Sequence, residues 1–333
     1  IFFITAMAAS ALVGCGPSVK PVDQGIEDKV LHITVGAKIE DIDPHLVTGV
    51  PEHHVIASLT EGLVAEDPVD LHPVPGTAER WEISKDGKVY TFYLRDNAKW
   101  TNGDPVTAND FVQSFKRILT PELASKYAYM LFVMEGAESY NSGELNNFSK
   151  VGVKALDSRK LQITLKAPTP YFLSLLNHYT WFPVHIATIQ KHGGMTERGS
   201  GWTKPENFIS NGPFRLKSWQ LGRKIVVAKN LNYWDTSTTK LNEIHFYPVQ
   251  LETTQENMFR GGQLHNIYNL HIDKISTYKR KHPDELRIKP HLASYFYRFN
   301  VTKKPCNDVR VRKALAMAID RESLVKNVTK GEQ

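Results

Sequence analysis

Cysteine is almost absent. Cys15 and Cys306 stand alone in a chain of 333 residues, which leaves no intramolecular disulfide framework and no CxxC metal pair. Long apolar runs are missing too. Beyond the N-terminal stretch, no run approaches the roughly 20 apolar residues that a membrane-crossing helix needs. Catalytic signatures are also missing. There is no HExxH, and "GMTERGSGW" holds no GxSxG elbow. A hydrolase needs a nucleophile with its base, or a metal; Cys306 sits between Pro305 and Asn307, and the carboxylates are scattered. No basic stripe carries interleaved aromatics, so nucleic-acid binding has no footprint. The densest basic cluster, "YKRKH" at 278–282, runs into "HPDE" and reads as a solvated helix face.

What is present describes an ordinary globular protein: 41% hydrophobic and 23% charged residues. Basic residues (41) and acidic residues (35) interleave along the chain, giving a net charge of +6. A chain of this length exceeds one ordinary core and predicts two or more lobes.

The opening run "IFFITAMAASALVG" has no charge. It is too short to span a bilayer comfortably and fits the apolar core of a secretory signal. The basic segment and initiator Met that precede such a core are missing, so the chain is expected to start inside its gene product. Leu12-Val13-Gly14-Cys15 resembles a bacterial lipobox. That resemblance implies lipid on the Cys15 thiol and cleavage just before it, with each buried methylene adding about 0.8 kcal/mol of membrane affinity. A buried N-terminal helix with an incidental cysteine is the alternative. "VDQGIEDK" then reads as a polar tether.

Further on, "VLHITVG" alternates as a strand with Leu31, Ile33 and Val35 on one face. "EDIDPHLVTGVPEHHV" reads as loop, and "HVIASLTEGLV" as a short helix with Val55, Leu59 and Leu63 on one side. Asp86-Gly87 turns a hairpin whose second strand aligns Tyr90, Phe92 and Leu94. Thr107 and Asp110 have capping-box spacing ahead of a helical stripe, Phe111, Phe115, Ile118 and Leu119. A strand follows at Leu161, Ile163 and Leu165, then a proline break and a short helix; a second hairpin turns near Gly222. "YRFN" predicts a strand. Asp308 caps a last helix with Val311, Ala314, Leu315, Ala318 and Ile319 as its buried face. No fixed-period repeat or low-complexity tract interrupts this mixed α/β pattern with several hairpins.

The segments "LTEGLV", "NAKWTNGDPVTANDFV", "APTPYF", "SNGPF", "NYWD" and "NDVRVRKALAMAIDRE" are each weak alone. Their order and spacing resemble the extracellular solute-binding proteins of oligopeptide and dipeptide ABC transporters, from about Leu31 to the end, and most of all the oligopeptide-binding branch. The resemblance implies a two-lobed periplasmic-binding-protein clamp of type II with an extra inserted domain. The main ligand-binding lobe would take residues 31–60 and 185–290, the smaller inserted domain 61–184, and the start of a truncated second lobe 291–333. Residues 1–14 would be a partial signal and 15–30 the tether.

The implied activity is capture of short peptides by main-chain pairing, with hydrated side-chain pockets, and delivery to ABC permease subunits. The implied protein is exported to the periplasm or the outer face of the cell membrane, lipid-anchored, a monomer, without cofactor or enzymatic activity. Thr48, Gly49 and Val50 match the loop that runs beside bound peptide; relatives often place an acidic residue where Thr48 stands. Tyr127 and His178 match pocket residues, and Tyr268-Asn269 a peptide-contacting pair. Plain packing is the alternative for each. A cysteine of some relatives is Ala293 here, so that family disulfide is absent. The acidic partner of a peptide's ammonium would lie beyond Gln333. Thirteen histidines, among them His53-His54, His178, His185, His265 and His271, keep a nickel or haem-type metal-chelate receptor of the same family open. A secreted hydrolase is the alternative from another class.

Overall fold

The computed structural model describes residues 19–289 and 296–329. The lipobox, Cys15 and Ala293 lie outside the described residues. The chain divides into two compact units, one ending at Tyr268 and one beginning at Asn269.

The first unit opens with helix α1 (Pro21–Asp28) and strand β1 (Val30–Thr34). The tether expected over 15–30 is therefore corrected: part of it is helix, started by Pro21 and ended by Lys29 in the left-handed region. After a loop comes α2 (Val50–Leu59), then the paired strands β2 (Val64–Glu66) and β3 (Pro73–Pro75). The helix expected to reach Leu63 stops earlier, because Thr60 is already extended, and it starts earlier, at Val50. Next come the hairpin β4 (Ala78–Ile83) and β5 (Val89–Leu94), helices α3 (Ala108–Leu119) and α4 (Ala137–Asn141), strands β6 (Val153–Ala155) and β7 (Lys160–Thr164), and the short helices α5 (Phe172–Leu175) and α6 (Ile186–Lys191). The hairpin β8 (Phe214–Gln220) and β9 (Lys224–Lys229), strand β10 (Glu243–Tyr247) and helix α7 (Glu252–Arg260) complete the unit.

Two sheets carry two hydrophobic cores. The antiparallel sheet β4-β5-β7-β6 packs on α3, whose Phe111, Phe115, Ile118 and Leu119 are all fully buried beside Phe92, Leu161 and Ile163. Burial of each such side chain contributes roughly 1.5–3 kcal/mol. The capping box forms as the spacing predicts: Asp110 accepts from the Thr107 N–H at 2.7 Å, and the Thr107 side chain takes the N3 amide in return. The second sheet, β1-β10-β9-β8, packs on α2 through Val55, Ile56 and Leu59, with Val227 and Phe246 opposite. Here β1 departs from simple alternation. Leu31 and Ile33 are only half-buried, whereas His32 and Thr34 are buried. Residues 265–268 run parallel along the free edge of β1, pairing with it at Ile33 and bonding to the Thr34 hydroxyl, while Gly25 of α1 and Gln255 of α7 meet the His32 and Thr34 side chains on that other face.

Buried polar groups stitch the two cores together. Arg117 of α3 reaches the 41–45 loop and pairs with Asp43, both side chains at most 2% exposed. Glu61, just after α2, accepts hydrogen bonds from Thr77, Tyr233 and Trp234. Asn211 closes the same seam, accepting from the Glu61 N–H and donating to its carbonyl. Burial pushes the Glu61 carboxyl up, while these donors pull it back.

The second unit holds α8 (Ile272–Lys281), α9 (Val309–Met317) and α10 (Arg321–Asn327). Lys279, Arg280 and Lys281 of the basic cluster form an exposed last turn of α8, as expected, while Tyr278 of the same cluster is buried. Asp308 caps α9 through the Arg310 N–H at 2.8 Å. One expectation fails: residues 296–300 carry no strand. The stripe Val311, Ala314, Leu315, Ala318, Ile319 lies open in this chain as an apolar patch, with Leu315 47% exposed and Ile319 38%. α9 ends at Met317, which leaves Ile319 outside the helix, and no described element covers that side.

Candidate functional site

The loop ahead of α2 is held from behind by two phenols. The Tyr179 hydroxyl donates to the Val47 carbonyl at 3.2 Å, and the Tyr127 hydroxyl to the Thr48 carbonyl at 3.3 Å. Gly49 is the N-cap of α2 in extended conformation, and Pro51 fits the first turn. A Cβ at Gly49 would collide with the Glu52 carboxylate, which folds back over it. Thr48 and Val50 are exposed. The N–H groups of Thr48 and Gly49 bond to no described residue. The result is a fixed, outward-facing stretch of backbone with free donors.

Beside this loop runs an unbroken file of seven rings. Tyr129 meets Tyr127 at a centroid distance of 5.9 Å, and Tyr127 meets His178 at 5.5 Å. His178 lies 4.2 Å from Tyr179, and Tyr179 5.6 Å from His53. His53 neighbours His54 at 6.0 Å, and His54 meets Tyr268 edge-on at 5.1 Å. The two ends reach solvent: Tyr129 is 56% exposed and Tyr268 44%. Tyr268 is placed by its N–H donating to Thr34 Oγ1 at 2.9 Å, and Thr34 in turn is bonded to buried Gln255. Gly36, at φ +80°, lets the Tyr268 ring lie over the chain; a Cβ there would come 3.3 Å from it.

The imidazoles of the file are held neutral. Burial, with His53 adding to it, lowers His178 to about 4. Burial also lowers His53, and burial and then His53 lower His54. His178 is fixed by Nδ1, 2.9 Å from the Thr180 hydroxyl. Tyr179 is pushed up by burial and by Tyr127 and Glu52. At neutral pH the wall therefore offers π faces, edge C–H groups and hydroxyls, with no charge of its own. Such a surface takes apolar and polar groups alike.

A profile of the bacterial extracellular solute-binding proteins, family 5, matches residues 72–333. The chain belongs to that family. The periplasmic oligopeptide-binding protein OppA of Salmonella typhimurium is 41% identical over 296 residues, 88% of this chain and 53% of its own length. The dipeptide-binding protein DppE of Bacillus subtilis is 36% identical over 330 residues, 97% of this chain and 59% of its own. Haemophilus influenzae OppA, solved in complex with RPPGFSPFR, superposes with a TM-score of 0.85 at 33% identity, over 92% of this chain and 58% of that one. The chain thus spans a little over half the length of these family 5 relatives. Its mixed α/β fold is that of the type II periplasmic binding proteins represented by OppA.

Within this family 5 chain, the structure brings Thr48, Gly49, Val50, Tyr127, His178 and Tyr268 to one place. Asn269 is exposed and opens the second unit. Tyr129 and Tyr179 were not singled out from sequence, although each neighbours a residue that was. His53 and His54 stood out only as metal candidates. Among the described residues, the one group of three donors close enough for a metal is Asp67, Asp70 and His72 on the β2–β3 loop. It includes none of the histidines considered from sequence, and His72 is already paired with Asp70 at 2.5 Å.

Proposed function

We propose that the protein captures short peptides outside the cytoplasm and delivers them to an ABC permease. The observation that carries this reading is the loop of Val47–Val50, with the unbonded amides of Thr48 and Gly49 and the carbonyls of Val47 and Thr48 pinned by Tyr179 and Tyr127. A peptide strand laid along it would pair main chain to main chain, a mode indifferent to sequence because every peptide offers the same groups. The uncharged ring file supplies the neighbouring wall for side chains of varied chemistry. The OppA of Haemophilus influenzae in complex with RPPGFSPFR supports peptide as the ligand class. In this reading the core around β8–β10 belongs to the main lobe and the core around α3 to the inserted domain.

Calorimetry with tri- to pentapeptides of varied composition tests the proposal. Binding of most of them with similar affinity is the expected result. A protein that ignores all of them but binds free nickel or haem would overturn it. Anchoring through lipid at Cys15 is part of the same reading: Cys15→Ser should release the protein from membranes, and retention after a high-salt wash would exclude the anchor.

A further inference from the structure

We propose that α1 is held to the body by a histidine clasp that opens in mild acid. Gly25 is the only buried residue of this helix. A Cβ there would lie 2.6 Å from the Val30 carbonyl oxygen, 2.8 Å from His265 Cε1 and 3.2 Å from His32 Cδ2. The helix backbone therefore rests directly on two imidazoles.

His265 bridges to α1 beside two further bonds, from the Val22 N–H to the Gly262 carbonyl at 3.1 Å and from the Asn242 side-chain amide to the Asp28 carbonyl at 2.8 Å. The His265 Nδ1 accepts the backbone N–H of His32 at 3.0 Å, and its Nε2 lies 3.2 Å from the Val22 carbonyl of α1. Those two contacts require one tautomer: neutral, with the proton on Nε2. A second proton would sit on Nδ1 and face the His32 N–H, turning an acceptor into a donor against a donor.

The surroundings concentrate the effect. The His32 ring stacks on His265 at 5.5 Å and 9°, and meets His245 edge-on at 4.8 Å. Its Nδ1 is 3.0 Å from the Tyr247 hydroxyl of β10. His245 Nε2 lies 2.8 Å from Glu243, which also binds Lys217 of β8. Glu243 faces His245, and the His245 and His265 rings both bear on His32. Lys224 of β9 repels a proton on His32 as well. The charged residues of α1 itself, Asp23, Glu27 and Asp28, are exposed, and Asp28 is held by Gln24.

Burial, followed by His245, His265 and Lys224, lowers His32 to about 4. Release of α1 uncovers His32 and relieves the burial part of that shift, moving it back toward its ordinary value of about 6.5, while His245, His265 and Lys224 stay beside it. Docking is thus fully favoured above about pH 6.5 and weakens as pH falls from there toward about 4, with the opening constant rising up to about tenfold per pH unit. Where the chain is anchored through Cys15, opening would lengthen the link to the body from about 12 Å of helix to about 27 Å of extended chain; the clasp does not depend on that reading.

Hydrogen exchange by mass spectrometry on peptides covering residues 19–34, at pH 7.5 and 5.0 and corrected for intrinsic rates, tests the clasp. Protection of α1 in the wild type should drop at least about tenfold in acid, while α3 and β9 stay protected. His32→Gln removes the ring whose burial sets the pH window, so it should suppress most of that drop; His265→Ala should open α1 at both pH values. Equal wild-type protection at both pH values would overturn the proposal. So would a drop shared equally by α3 and β9, or a His32→Gln protein that folds and opens in acid as far as the wild type. The wild-type comparison decides by itself if a variant does not fold.

Discussion

Arg117 grips Asp43 at two points, with Nη2 2.6 Å from Oδ2 and Nη1 2.9 Å from Oδ1. The guanidinium also donates from Nε to the Met195 carbonyl, and Nη1 lies 3.0 Å from His45 Nδ1. Burial alone would raise the Asp43 carboxyl, but Arg117 overrides it and holds the group below the ordinary carboxylate range. Removing one partner leaves a buried charge uncompensated. Asp43→Ala should therefore lower unfolding free energy by about 3–5 kcal/mol in urea titration. The double variant Asp43→Leu with Arg117→Met should recover most of that loss.

His45 gives stability a pH dependence. Burial, with Arg117 next, lowers it to about 3. The unfolded chain takes up its proton near the ordinary value of about 6.5, whereas the folded chain refuses it. This contribution is present above about pH 6.5 and is lost as pH falls toward about 3, to the extent of a few kcal/mol at most. Urea midpoints from pH 7 to 4 should fall, and His45→Gln should flatten that slope.

Tyr127 acts through its hydroxyl. Tyr127→Phe removes the bond to the Thr48 carbonyl and keeps the ring contact with His178. Peptide affinity should weaken by about 2- to 10-fold, the worth of one hydrogen bond of about 0.5–1.5 kcal/mol. The thermal midpoint should stay nearly unchanged, as it should for Tyr268→Ala, whose ring is 44% exposed. A large drop in midpoint would make either residue a packing residue instead.

Thr107→Ala removes half of the capping box of α3. The loss should be about 0.5–2 kcal/mol, read in the same urea titration. Thr107→Asn should restore much of it.

The readable parts of this chain were local. A hairpin at Asp86-Gly87, another near Gly222, the Thr107–Asp110 box and the stripe from Phe111 to Leu119 need only neighbours in sequence, and all four are present. What escaped depends on partners far along the chain. Arg117 sits beside Lys116 and looks like a solvated residue, yet its partner, Asp43, is 74 positions away. The tether reading of α1 followed from its charges, because Gly25, the one buried residue of the helix, has no side chain to reveal a buried face. β1 read as one-sided because Gln255, which meets Thr34 on its other face, lies 221 positions further on. At the site, the motif positions drew attention to Tyr127 and Tyr268, but the rings between them come from α2 and from 178–179, and only folding lines them up.

The polar seam around Glu61 bears on how the first unit comes apart. Thr77, Tyr233, Trp234 and Asn211 all spend their side-chain hydrogen bonds on Glu61 and its backbone, and they come from both sides of the junction between the cores. Letting one core melt while the other stays folded would strand these groups in a half-dry environment, each lost partner costing about 1–3 kcal/mol. An intermediate with one core folded is thereby made scarce. The two cores, although each has its own sheet and its own helix, should melt as one cooperative body, with near- and far-ultraviolet signals changing together and calorimetric and van't Hoff enthalpies in agreement.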